Sequence, residues 1–265
     1  MPITSNNGVR LHWDEAGTGT PVLLIMGHAF PSEMWHPVLP ALTERHRVVW
    51  FDNRGTGRSD APRTATISDL AADARAVMDA AGLQRAHVYG VSMGGGIAMQ
   101  LAYESPERVQ SLVLGCTALK SDALPVKRKA ALLGYYIPLR LLRPVMRKTM
   151  YGPACPPEAA EHDLDVLCRT KVRPRGLMAQ VQAMQTYDLT ADKVAQLTMP
   201  ALVLHGDADQ TVDVARGREL AQTLPDSRLV IYPGAGHSFP VAATDQANAD
   251  VLSFLAEVEA VARPA

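Results

Sequence analysis

Apolar and polar positions follow two rhythms along this chain. Short, nearly unbroken apolar runs at residues 21–26 (PVLLIM), 47–51 (RVVWF), 86–91 (AHVYGV), 109–116, 200–205 (PALVLH) and 228–232 (RLVIY) predict strands of the type buried on both faces, and residues 9–13 predict one more. Between them lie longer stretches with helical spacing. In residues 67–81, Leu70, Ala74, Val77, Met78 and Ala81 share one face, and Gly82 supplies a stop. Residues 93–104, 213–223 and 244–261 read as helices in the same way. Strand and helix in alternation predict a mostly parallel sheet covered on both faces.

The alternation stops between residues 119 and 191. No good strand is found there. Residues 127–133, 139–150, 157–169 and 174–186 read as helices separated by prolines, which predicts a helical insertion between two strands of the core. Its basic residues, Lys127, Arg128, Lys129, Arg140, Arg143, Arg147 and Lys148, suit solvated helix faces better than an anionic partner. The whole chain carries 26 Lys and Arg against 27 Asp and Glu, a net charge of −1.

Composition narrows the class. At 265 residues and 47% hydrophobic content, the chain has material for a large core and is not a disordered protein. The charge balance argues against a nucleic-acid binder. The apolar stretch at 130–139 holds Pro138 and is too short to span a bilayer. Three scattered cysteines, Cys116, Cys155 and Cys168, and an N-terminus without a basic or apolar leader region predict reduced thiols in a cytoplasmic protein. No CxxC or CxxH pair suggests a metal site.

Chemistry enters at Gly90-Val91-Ser92-Met93-Gly94. The G-x-S-x-G pattern is weak alone, but here it joins a predicted strand to a predicted helix. A nucleophile elbow needs that context: small residues permit a tight turn, and the serine hydroxyl then stands clear at a helix N-terminus. A dinucleotide-binding turn fits less well, because G-x-G-x-x-G is missing. Among eight histidines, His12, His46 and His87 lie in or beside strands and read as structural, and His205 as a packing or loop-bonding residue. His237, in Gly234-Ala235-Gly236-His237-Ser238, follows the last strand, where open parallel sheets build their sites. The orienting acid falls in Gly206-Asp207-Ala208-Asp209, since the loop after residues 109–116 carries Cys116-Thr117-Ala118 and no carboxylate. The chain order is serine, aspartate, histidine.

These features, with Phe51-Asp52-Asn53-Arg54-Gly55-Thr56-Gly57-Arg58-Ser59-Asp60 as a D-x-R-G-x-G-x-S loop, resemble the α/β-hydrolase superfamily over nearly the whole chain. The resemblance implies an α/β-hydrolase fold with a core of residues 1–118 and 191–265 and a helical cap of residues 119–190. It selects Asp209 over Asp207 through Gly206-x-x-Asp209, and implies a triad of Ser92, Asp209 and His237. Asp52 and Arg54 become loop-organising residues. It also implies an oxyanion hole from the Met93 N–H and from the loop after residues 21–26. Many members carry His-Gly-x there; this chain has Met26-Gly27-His28, so His28 N–H takes the donor position while its imidazole borders the pocket. Phe30, Trp35, Cys116, Met146 and Met150 are candidate pocket residues. The expected activity is hydrolysis of a small-to-medium apolar carboxylic ester or lactone, without metal or organic cofactor. The alternatives are carbon–carbon bond hydrolysis, cofactor-free perhydrolysis and a non-catalytic hydrolase-like binder. The expected partner is a small molecule, with neither nucleic acid nor a membrane span involved; monomer and homodimer both remain open.

Overall fold

The apolar runs assemble into one eight-stranded sheet in the computed structural model, which describes residues 2–119, 139–170 and 173–262. The strands are β1 (Ile3–Asn6), β2 (Val9–Ala16), β3 (Thr20–Ile25), β4 (His46–Phe51), β5 (Ala86–Val91), β6 (Val109–Gly115), β7 (Ala201–Gly206) and β8 (Ser227–Tyr232). Their order is β1-β2-β4-β3-β5-β6-β7-β8. The first two pair antiparallel and the other six run parallel, in keeping with their unbroken apolar runs. β1 has no counterpart among the expected strands. Its four residues, ITSN, are half exposed and edge-placed, so they carry no buried run to read. β2 runs past its expected end through Asp14 and Glu15, held by pairing with β4 rather than by apolar content.

Helices cover both faces. On one side α2 (Ile67–Ala80), α3 (Met93–Glu104) and α8 (Val214–Thr223) bury Leu70, Val77, Ile97 and Leu220 against Leu23, Val88 and Leu112. On the other, α1 (Leu39–Thr43) and α9 (Thr244–Ala262) bury Leu42, Val251 and Leu255 against Leu24, Val113 and Leu202. Thr66 and Asp69 form a reciprocal capping box that starts α2. Gly82 follows its end at φ +68, where a side chain would be strained.

Between β6 and β7 the regular elements among the described residues are helices: α4 (Leu139–Met150), α5 (Pro157–Cys168), α6 (Pro174–Gln185) and a short α7 (Ala191–Val194). The helix expected at 127–133 lies outside the described residues. Arg143 pairs with Glu161 and Asp165, and Arg147 with Glu161, so these basic side chains of α4 are neutralised by α5. No helix among the described residues is long and apolar enough to cross a membrane.

Parallel strands bring their carboxyl ends to one edge of the sheet. The chain passes from β3 to β4 on one side and then to β5 on the other, which makes the β3/β5 boundary the topological switch point. Open α/β sheets place ligands outside such a point. The loops after β3, β5, β7 and β8 carry the residues that the sequence singles out.

Candidate active site

Ser92 joins β5 to α3 at φ +56, ψ −122, a conformation that costs a non-glycine residue about 1–3 kcal/mol. Its surroundings enforce it. Ser92 N–H donates to Gly115 O at 2.8 Å, and the Thr117 hydroxyl donates to Ser92 O at 2.8 Å. The flanking glycines are required by space: a Cβ on Gly90 would lie 2.2 Å from Gly94 O, and one on Gly94 would lie 2.0 Å from Ile25 O. The turn therefore closes only with glycine at both positions, and the serine projects from the start of α3.

His237 follows β8, and its Nδ1–H donates to Asp209 Oδ2 at 2.7 Å. Asp209 is wholly buried and holds its other oxygen on the N–H groups of Thr211 and Val212, at 2.7 and 2.9 Å. Burial disfavours the charge, but the nearby His205 imidazole, the bond from His237 and the Val212 N–H outweigh it and hold the carboxyl below the usual carboxylate range. Asp207 does something else. Its Oδ1 accepts from Gly234 N–H at 2.6 Å and so anchors the histidine loop. The same loop is tied to the insertion, since Ser238 N–H donates to Met150 O and Ala154 N–H to Gly234 O, each at 2.9 Å.

Cys116, His205 and Asp209 bring ligand-type atoms within 4.8 Å of one another. The cysteine of this trio is held as a thiol, whereas a metal takes it as a thiolate. His205 Nε2–H donates to Val212 O at 2.9 Å, and burial, with the charge of Asp209, pushes the Cys116 thiol well up.

A cavity of about 180 Å³ opens at this edge of the sheet. That is below the usual range for drug-sized ligands, roughly 300–1,000 Å³, and matches a small molecule. Ser92, His237, His28, Phe30, Trp35 and Met150 all line it. Two expected pocket residues stand elsewhere. Cys116 is fully buried and its backbone, at φ +44, turns away at the end of β6, so the thiol packs beside Asp209 instead of facing the cavity. Met146 packs between two apolar clusters on the inner side of α4 and is absent from the described wall. Met93 has its side chain in the core, while its N–H, as the first of α3, has no acceptor within the helix.

Gly27 brings the β3 loop against the elbow; a Cβ there would lie 3.1 Å from Ser92 Cβ. Gln180 of α6, which no sequence motif marks, fixes the rest of that loop. Its amide nitrogen donates to Arg54 O at 2.8 Å, which leaves Oε1 as the acceptor for Ala29 N–H at 3.0 Å and for His28 Nδ1–H at 3.1 Å. The His28 tautomer follows from this. Burial pushes the imidazole down to about 4, against the bond to Gln180, so the ring is neutral at pH 7. Asp163 of α5, equally unmarked, lines the same cavity. Each of these two reaches the site only because the insertion lies over it. Asp52 and Arg54 organise their loop: Asp52 accepts from Ser32 N–H and Arg58 N–H, at 2.8 and 2.9 Å, and Arg54 forms a buried pair with Asp73.

Residues 20–241 match the family model described as serine aminopeptidase, S33. RutD of Variovorax paradoxus, named as a carbamate hydrolase, is 33% identical, with 96% of this chain and 99% of that protein covered. BpoC of Mycobacterium tuberculosis, named as a non-heme bromoperoxidase, is also 33% identical, over 95% of this chain and all of that one. Among solved structures, the enol-lactonase from Burkholderia xenovorans superposes with a TM-score of 0.86 at 26% identity, covering 96% of this chain and 100% of the other.

Proposed function

Since the chain belongs to the α/β-hydrolases of the serine aminopeptidase S33 family, we propose that it is a serine hydrolase of small-to-medium apolar carboxylic esters or lactones. The observation that carries this reading is the 2.7 Å bond from His237 to Asp209 beside a strained Ser92, with Ser92 and His237 on one small cavity. Ser92 Oγ attacks the carbonyl carbon while His237 Nε2 takes its proton. Asp209 fixes the tautomer with hydrogen on Nδ1 and stabilises the imidazolium. The N–H groups of His28 and Met93 receive the oxyanion. His237 then protonates the leaving alcohol and activates water to release the acyl group. Helices α4 to α6 act as a cap over the elbow and shape the pocket. Neither metal nor organic cofactor has a role in these steps.

Likeness to BpoC supports a second reading, perhydrolysis of an acyl group on the same three residues. A panel of p-nitrophenyl esters of increasing chain length, assayed with and without hydrogen peroxide, separates the two. Ester cleavage independent of peroxide, lost in Ser92→Ala, is the expected result. Peroxide-dependent acyl turnover would favour the second reading, and full activity in Ser92→Ala would contradict both.

A further inference from the structure

Asp163 is the one carboxylate on the cavity wall among the described residues, and no lysine or arginine joins it there. It is 1% exposed. Both its oxygens accept: His36 Nε2–H donates to Oδ1 at 2.7 Å and the Tyr151 hydroxyl to Oδ2 at 2.5 Å. Both oxygens are thereby held by neighbouring side chains, which fixes the carboxylate at the wall. Burial, then the neighbouring Asp163, push the Tyr151 hydroxyl up, so it stays a neutral donor and brings no charge of its own. The rest of the wall is largely apolar, with Met26, Phe30, Met34, Trp35, Val181 and Met184. The Asp163 carboxylate thus stands at the edge of an apolar chamber, with His36 as its one basic neighbour among the described contacts, where little water screens it.

We propose that Asp163 sets the charge preference of this site: it admits uncharged substrates and repels those that carry a carboxylate. The inference rests on the ester-hydrolase reading and narrows it to neutral esters, lactones or carbamates. Two like charges about 6 Å apart at an effective dielectric near 20 produce a discrimination of about 100-fold.

Isosteric substrate pairs test this on both sides of the scissile bond. The p-nitrophenyl esters of glutaric acid and of its monoamide differ in the acyl group only by carboxylate against carboxamide. The 4-carboxybenzyl and 4-carbamoylbenzyl butyrates differ in the same way in the alcohol. On the side that reaches Asp163, the wild-type protein should favour the amide by about 100-fold in kcat/KM. In Asp163→Asn that ratio should fall below about tenfold. Because each ratio is taken within one protein, a general loss of activity cancels. Asp163→Ser removes the same carboxylate with a smaller side chain and should also bring the ratio below about tenfold, which keeps the test open if Asp163→Asn folds poorly. Wild-type ratios below tenfold on both sides would overturn the proposal, as would a gap that survives in Asp163→Asn or in Asp163→Ser. Failure of the underlying reading looks different: no ester of the set would then be cleaved in a Ser92-dependent way.

Discussion

Asp209 and Asp207 share a loop but hold different partners. Asp209 receives His237 on one oxygen and two backbone N–H groups on the other. An asparagine there must turn its amide nitrogen toward the imidazole or toward the N–H pair, and either choice places donor against donor. Asp209→Asn should therefore lower kcat by up to about 10⁴, the scale of a misplaced tautomer. Asp207→Asn keeps an acceptor for Gly234 N–H and should cost no more than about tenfold, the scale of one weakened hydrogen bond. Steady-state kinetics with the reverse ranking would move the acid to Asp207. Gln180 invites a second substitution. In Gln180→Leu the Ala29 N–H loses its acceptor and Arg54 O its donor, so the loop that carries His28 is no longer braced. We expect kcat to fall by about 10–100-fold with a smaller change in KM, because a brace on an oxyanion donor matters most in the transition state. A change confined to KM would show that Gln180 shapes binding alone.

At the scale of elements, legibility in the sequence depends on length and burial. The six parallel strands are legible because each is an apolar run, and α2 because its buried face repeats every three to four residues. β1 and α1 are not, being four and five residues long with few buried positions. β6 stops one residue early because Cys116 takes a left-handed backbone conformation, which no apolar count reveals. β5 also carries a pH dependence. His87 is fully buried, with Nδ1 on the Ser111 hydroxyl at 2.7 Å, and burial pushes its imidazole down to about 4. Below about pH 6.5 the unfolded chain binds a proton that folded His87 refuses until about pH 4. Stability should thus drop as pH falls through that window, by about 3 kcal/mol from this group. Urea midpoints measured at pH 7 and pH 4.5 check it: His87→Gln should show a shallower decline than the wild type, and parallel curves would contradict the assignment.

Over the whole molecule, the sheet gathers residues that lie far apart in sequence. Ser92, Asp209 and His237 each follow a parallel strand, so strands that can be recognised place their loops on one edge. Gln180 and Asp163 have no such guide. They come from helices of the insertion, and their place depends on how α5 and α6 settle over the edge, which local periodicity does not encode. Cys116 misleads for a related reason: its strand ends beside the elbow, but the direction of its side chain is set by one backbone turn. Catalysis at this edge requires that Ser92 be an activated nucleophile. Peptide mass spectrometry after treatment of the folded protein with a fluorophosphonate tests that most directly. One adduct per chain is expected, on Ser92, with strongly slowed labelling in His237→Ala. An adduct on another residue, or equal labelling of a folded Ser92→Ala protein, would contradict it.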